Sequence, residues 1–235
     1  MAILPEALKD VKALTFDVFG TVVDWRSTVH GELSKRARNK IASASFSTLP
    51  EPLQSHFGGI SDADWGRFGQ EWRESYGKFT QTFVPGETEW KDIDTHHYHS
   101  LKILLQDWDV AGVYTDEEVK SLSLIWHYLK PWDDSALGIQ RLGTRYVTAT
   151  LSNGNRSLLE DLNAHGSLGF RRIISTADFG AYKVRKALGV EVGGFCATPI
   201  HHGACIRAVG TYDGAAIFCD SDAVTHTHAC PHAHG

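Results

Sequence analysis

Val11-Lys12-Ala13-Leu14-Thr15-Phe16-Asp17-Val18-Phe19-Gly20-Thr21-Val22 is the stretch on which the reading of this chain turns. An apolar run of strand length, Val11 to Phe16, stops at a carboxylate and then at a Gly-Thr turn. That pattern predicts a buried parallel strand with Asp17 at its carboxyl end. A second run, Tyr146 to Leu151, stops at Ser152-Asn153-Gly154-Asn155. Beyond it, Ser157 to His165 reads as a helix with Leu158, Leu159 and Leu162 on one face. A third run, Arg172 to Ser175, leads to Asp178-Phe179-Gly180-Ala181-Tyr182-Lys183. Strand, turn and helix alternate, which predicts an α/β fold with a doubly wound parallel sheet. Ligands of such sheets bind beyond the carboxyl ends of the strands, where Asp17, Ser152, Asn153 and Lys183 all fall.

Between the first two strands the texture changes. Residues 25–135 carry helix-like amphipathic segments at Ser27–Ala44, Ser61–Thr80, Lys91–Trp108 and Thr115–Tyr128. Either Thr115 or Asp116 suits the N-cap of the last. Ile41 to Ser47, rich in Ser and Ala, reads as a helix end or loop. Pro131-Trp132 marks the return to the sheet, because proline disfavours helix in the residue before it. The expected organisation is thus a core of residues 1–24 and 136–235 with an inserted helical cap at 25–135.

Bulk composition narrows the function classes. The 235 residues are 42% hydrophobic, enough for a core with a smaller appendage. A net charge of −5 without a long basic run argues against nucleic acid as a partner. No apolar stretch approaches the ~20 residues needed to span a bilayer, and Pro5, Glu6, Lys9 and Asp10 break any signal-like run. All the cysteines (Cys196, Cys205, Cys219, Cys230) lie near the C-terminus, which is no disulfide framework. A cytoplasmic protein is expected.

Phe16-Asp17-Val18-Phe19-Gly20-Thr21-Val22 resembles the first motif of the haloacid dehalogenase superfamily, Ser152-Asn153 its second and Lys183 its third. Glu71-Trp72-Arg73-Glu74-Ser75-Tyr76 and Pro131-Trp132-Asp133 extend the likeness through the insert, over residues 11–183, toward the type II 2-haloacid dehalogenases. The resemblance implies that Asp17 is a nucleophile forming a covalent ester, with no metal or other cofactor. A carboxylate aimed from a strand end and partly dehydrated is a far better nucleophile than one in water. A nearby cation keeps it ionised, and Lys183 is the natural choice. Thr21, Ser152 and backbone N–H groups beginning with Val18 can donate hydrogen bonds to Asp17 or to a substrate carboxylate.

Residue 19 separates the subclasses. Phosphatases of the superfamily carry a second aspartate there as general acid. Phe19 cannot protonate a leaving group, and a halide needs no proton to leave. The resemblance further implies that Arg73 receives the halide, a role suited to a permanently charged, weakly hydrated guanidinium. Asn153 is expected to donate an amide hydrogen bond to the halide or substrate, and Phe19 or Trp25 to supply an apolar wall. The expected activity is hydrolysis of short 2-haloacids to 2-hydroxy acids. A phosphatase acting on a small phosphate ester and an inactive, truncated relative are the alternatives. A homodimer is the assembly that the resemblance implies.

Some features fall outside this pattern. His96, His97 and His99 do not share one helix face well, so a metal site there is not expected. The tail His226-x-His228-x-Cys230-x-His232-x-His234 has ligands enough for zinc but reads as an incidental, disordered end. After Lys183 only about six residues precede Gly189, fewer than the ~10–12 that a βαβ crossover needs. From Gly193 onward the chain departs from the family, and no fourth-motif role is carried onto Asp220 or Asp222. An atypical or incomplete C-terminal part of the core, as from a frame-shifted end, is expected.

Overall fold

A computed structural model describes residues 11–84, 87–179 and 182, and the backbone alone of 195–196, 207–212 and 215–218. The first strand, β1 (Ala13–Phe16), sits inside a sheet. Leu14, Thr15 and Phe16 are buried in succession, as both faces of a central strand require. β1 leads to a turn whose geometry demands glycine, since Gly20 has φ +87°. The chain then forms the short strand β2 (Val23–Asp24) and enters a helical insert.

The insert contains α1 (Trp25–Ile41), α2 (Glu51–Gly59), α3 (Asp62–Gln81), α4 (Ile93–Asp107) and α5 (Asp116–Ser123). Each expected helix is present with shifted ends, and local chemistry explains the shifts. Asp92 caps α4 by accepting from the Thr95 N–H at 2.7 Å, so the helix starts at Ile93 and not at Lys91. Thr115, not Asp116, caps α5, with Glu118 closing the reciprocal capping box. That helix tightens into a 3-10 turn over Leu124–Tyr128. α2 was not expected: its proline sits in the first turn, where no N–H is missed, but its two terminal glycines mask the helical pattern. Phe57, Trp65, Phe68 and Trp108 form a continuous chain of ring contacts that gives the insert its own core.

The chain returns through β3 (Lys130–Pro131), which pairs antiparallel with β2 and closes the stem of the insert. Helix α6 (Ser135–Leu142) follows, then β4 (Val147–Thr150) and α7 (Arg156–His165). β4 lies parallel to β1 with Phe16 opposite Thr150. This register sets the two strand ends level, so the turn after Asp17 and the Ser152–Asn155 loop leave the same end of the sheet. Backbone strands β5 (Phe195–Cys196), β6 (Arg207–Tyr212) and β7 (Ala215–Phe218) complete a sheet of order β4-β1-β7-β6-β5. β7 is parallel to β1, whereas β6 is antiparallel to both β7 and β5.

The third expected run, Arg172 to Ser175, forms only isolated parallel bridges, Ala149 to Arg172 and Ser152 to Ser175. Between them the Thr150 hydroxyl accepts from Ile174 N–H at 2.9 Å, a side-chain bond in place of a ladder bond. Residues 183–194, where the shortened crossover falls, and the His-rich tail lie outside the described residues. No described helix is long and apolar enough to cross a membrane.

Candidate active site

Asp17 is buried directly after β1, and Thr21 Oγ1 donates to its Oδ2 at 3.4 Å. The turn between them is tightly tied. Gly20 N–H donates to the Val23 carbonyl, and the N–H groups of Val22 and Val23 both donate to the Val18 carbonyl. Trp132 clamps the same turn, its indole N–H on the Gly20 carbonyl at 3.2 Å. The amides of Gly20, Val22 and Val23 are therefore committed within the turn. Among the described residues, the amides of Val18, Phe19 and Thr21 are not tied in this way.

The second strand end packs against this turn. Leu151 N–H donates to the Phe16 carbonyl at 2.7 Å, which carries the β1–β4 pairing up to the residue before Asp17. Ser152 is buried, and its carbonyl accepts from Thr176 N–H at 2.9 Å. A Cβ placed on Gly154 would lie 3.2 Å from Phe19 Cε2, so the two loops touch. Asn153 is held from both sides: its Oδ1 accepts from Thr176 Oγ1 at 2.9 Å, and its Nδ2 donates to Tyr76 Oη at 2.6 Å.

Tyr76 belongs to α3, as does Arg73. The Arg73 guanidinium lies 4.6 Å from the centre of the Tyr76 ring and 5.8 Å from that of Trp25, the stacking for which a planar cation is suited. Arg73, Tyr76 and Asn153 thus form one connected group joining the insert to the Ser152–Asn155 loop. Trp126 is the hub of the apolar wall. Phe19 meets it edge-on at 6.4 Å, Trp25 stacks on it at 6.1 Å, and Trp72 meets it at 5.4 Å. Val18 is buried beneath the turn.

His97 stacks on Trp126 at 4.7 Å. Burial, reinforced by the charges of His96, Arg73 and His127, holds it neutral, well below the ordinary imidazole range. His96 stacks on Phe79, and burial followed by the Lys91 and His99 charges lowers it to about 4. His99 is exposed, whereas His96 and His97 are buried. Among the described residues no group of three or more His, Cys, Asp or Glu is placed to share a metal ion.

Lys183 lies outside the described residues. Tyr182, just before it, is buried among Phe79, Phe83 and Trp90 of the insert, and its hydroxyl donates to the Lys91 carbonyl. Of the expected residues, the structure brings Asp17 and Thr21 together, and links Asn153 to Arg73 and Trp25 through Tyr76. Tyr76, Trp126, Thr176 and Tyr182 went unassigned by sequence reasoning. Tyr76 alone carried a signal, as the close of the Trp72-Arg73-Glu74-Ser75-Tyr76 run.

Comparison with known proteins places the fold. The fold is that of the haloacid dehalogenase superfamily. Within it, the chain resembles the type II 2-haloacid dehalogenases. It is similar to a defluorinating L-2-haloacid dehalogenase (28% identity, TM-score 0.62, covering 74% of this chain and 64% of that one). It is also similar to a second L-2-haloacid dehalogenase (28% identity, TM-score 0.60, covering 74% and 66%). The L-2-haloacid dehalogenase of Xanthobacter autotrophicus shares the fold (21% identity, TM-score 0.56, covering 78% and 67%). The chain spans just under two thirds of the length of the first two. No family model matches the chain, and no curated protein matches it.

Proposed function

We propose that this chain is a hydrolytic dehalogenase of short 2-haloacids, with residues 25–135 serving as a cap over the sheet core of residues 1–24 and 136–235. The Asp17 carboxylate attacks the α-carbon, the carbon–halogen bond breaks, and the halide departs toward Arg73 and the Asn153 amide. Water then adds to the carbonyl of the Asp17 ester. A 2-hydroxy acid, a proton and the free carboxylate result. Lys183 supplies the positive charge that keeps Asp17 ionised, and Thr21, Ser152 and the Val18 amide hold the carboxylates. Phe19 and Trp25 face the alkyl group.

The observation that carries this reading is Phe19. Its ring lies against Trp126 and Gly154, two residues beyond Asp17, at the position where a phosphoryl-transferring relative needs an acid. An apolar ring there suits a leaving group that departs as an anion and weakens Asp17 as one of several oxygen ligands to a metal.

A halide-release assay on the separate enantiomers of 2-chloropropionate, comparing wild type with Asp17→Asn, tests the reading. Release by wild type and its loss in the variant are expected. One turnover in heavy-oxygen water should place the label in Asp17. Activity retained by Asp17→Asn, or label appearing first in product, overturns the covalent route. Phosphate release in place of halide release overturns the substrate class.

A further inference from the structure

His127 stands at the seam between the helical insert and the sheet core, in contact with a carboxylate from each side. Its Nδ1 lies 2.7 Å from Asp161 Oδ2 on α7, and its Nε2 lies 3.0 Å from Asp94 Oδ1 on α4. Asp94 also accepts from Asn155 Nδ2 at 2.5 Å. Asn155 is the N-cap residue of α7 and stands two positions after Asn153. A single chain of hydrogen bonds therefore runs from the core helix, through the imidazole, to the insert and back to the loop that carries Asn153.

We propose that His127 is the latch that fixes the insert on the core and, through Asp94 and Asn155, a positioning residue for the Asn153 loop; its effect on turnover rests on the dehalogenase reading above. A carboxylate only accepts hydrogen bonds, and a neutral imidazole has a single N–H. Carboxylates on both ring nitrogens are satisfied together only by the imidazolium. Loss of that proton leaves a bare nitrogen facing an oxygen anion, and one half of the latch is released.

The surroundings agree. Burial of His127 disfavours its charge, but the bonds to Asp94 and Asp161 outweigh this and raise it above its ordinary value of 6.5. Asp94 and His97 of α4 and Asp161 of α7 are the titratable groups that face it. Among the described residues, α1 and α5, which also pack on this turn, bring no ion-pair partner to it. A group raised on folding contributes fully below its unfolded value, and the contribution is lost as pH rises through the folded one. The latch is closed at mildly acidic pH and opens on the alkaline side of that titration.

The test uses the full chain, with three readouts on wild type, His127→Gln and Asp161→Asn. Imidazole NMR should show His127 titrating above the ordinary histidine value in wild type and lower in Asp161→Asn. Hydrogen exchange at the start of α7, corrected for intrinsic rates, should lose protection as pH rises through that titration. In His127→Gln protection should be low and flat. For halide release from 2-chloropropionate, KM should rise about tenfold across the same range, the scale of one lost charge-assisted hydrogen bond. His127→Gln should show the high KM throughout, with kcat little changed. Unaltered exchange in His127→Gln, or a KM indifferent to both pH and the substitution, overturns the latch. If wild type releases no halide, the dehalogenase reading fails while the NMR and exchange results still decide the latch.

Discussion

Asn153 Nδ2 donates to Tyr76 Oη at 2.6 Å, joining the loop after β4 to helix α3 of the insert. The bond is oriented from behind, because Thr176 Oγ1 holds the Asn153 carbonyl oxygen. Tyr76 in turn lies under the Arg73 guanidinium. The halide-receiving pair proposed above is thus assembled through a phenol.

Tyr76→Phe keeps the ring beneath Arg73 and removes the hydroxyl. Loss of one partner of a buried hydrogen bond costs about 1–3 kcal/mol. The expected result is a roughly tenfold fall in kcat/KM for 2-chloropropionate, with a melting temperature within a few degrees of wild type. Steady-state halide release alongside a thermal melt checks this; unchanged kcat/KM would remove Tyr76 from the site.

Gly154→Ala tests the contact between the two loops. The added Cβ would meet Leu158 Cδ2 at 3.1 Å, and Leu159 Cδ2 and Phe19 Cε2 at 3.2 Å. All are ends of side chains, so each must yield slightly. Overpacking of this kind costs about 1–3 kcal/mol. A lower urea midpoint at unchanged slope is expected, with a raised KM from displacement of Phe19.

Trp126 is almost fully buried and touches Phe19, Trp25, Trp72 and His97. Trp126→Ala should lower unfolding free energy by about 3–5 kcal/mol, as cavity formation at a buried large aromatic does. Trp126→Phe, which fills part of the space, should lose less. Urea denaturation of both variants decides whether the wall supports the fold as well as the site.

His96 provides a pH prediction opposite in sign to the latch. It is lowered to about 4 in the folded chain from an ordinary 6.5, mainly by burial. Between those values the unfolded chain binds a proton that the folded chain refuses, so stability falls as pH drops from 6.5 toward 4. His96→Phe preserves a ring against Phe79 and should flatten that decline. Urea midpoints at several pH values across the interval measure it; a decline as steep in the variant would assign it to other groups, His97 first.

Much of the fold was legible because it rests on short-range rules. An apolar run ending in Asp17 announced β1, and amphipathic spacing announced α1, α3, α4 and α5, with Thr115 or Asp116 as the expected cap of the last, whereas the cap role of Asp92 emerged only in the structure. Helix α2 escaped because Gly58 and Gly59 weaken its pattern. The Arg172–Ser175 run failed to become a regular strand because the Thr150 hydroxyl took a bond that a backbone carbonyl would otherwise accept. No periodicity reports such a substitution.

The amino-acid order alone determined that a carboxylate would end the first strand, that no acid would stand two positions later, and that helices would separate the first strand from its neighbour. These depend on residues close in the chain, whose backbone preferences and burial act locally. Only the tertiary structure decided that Phe16 lies opposite Thr150, that Tyr76 reaches Asn153, and that His127 lies between Asp94 and Asp161. Those pairings join segments far apart in sequence: the first is set by strand pairing within the sheet, and the others form because packing the insert against the core brings together polar groups that must find partners in one another.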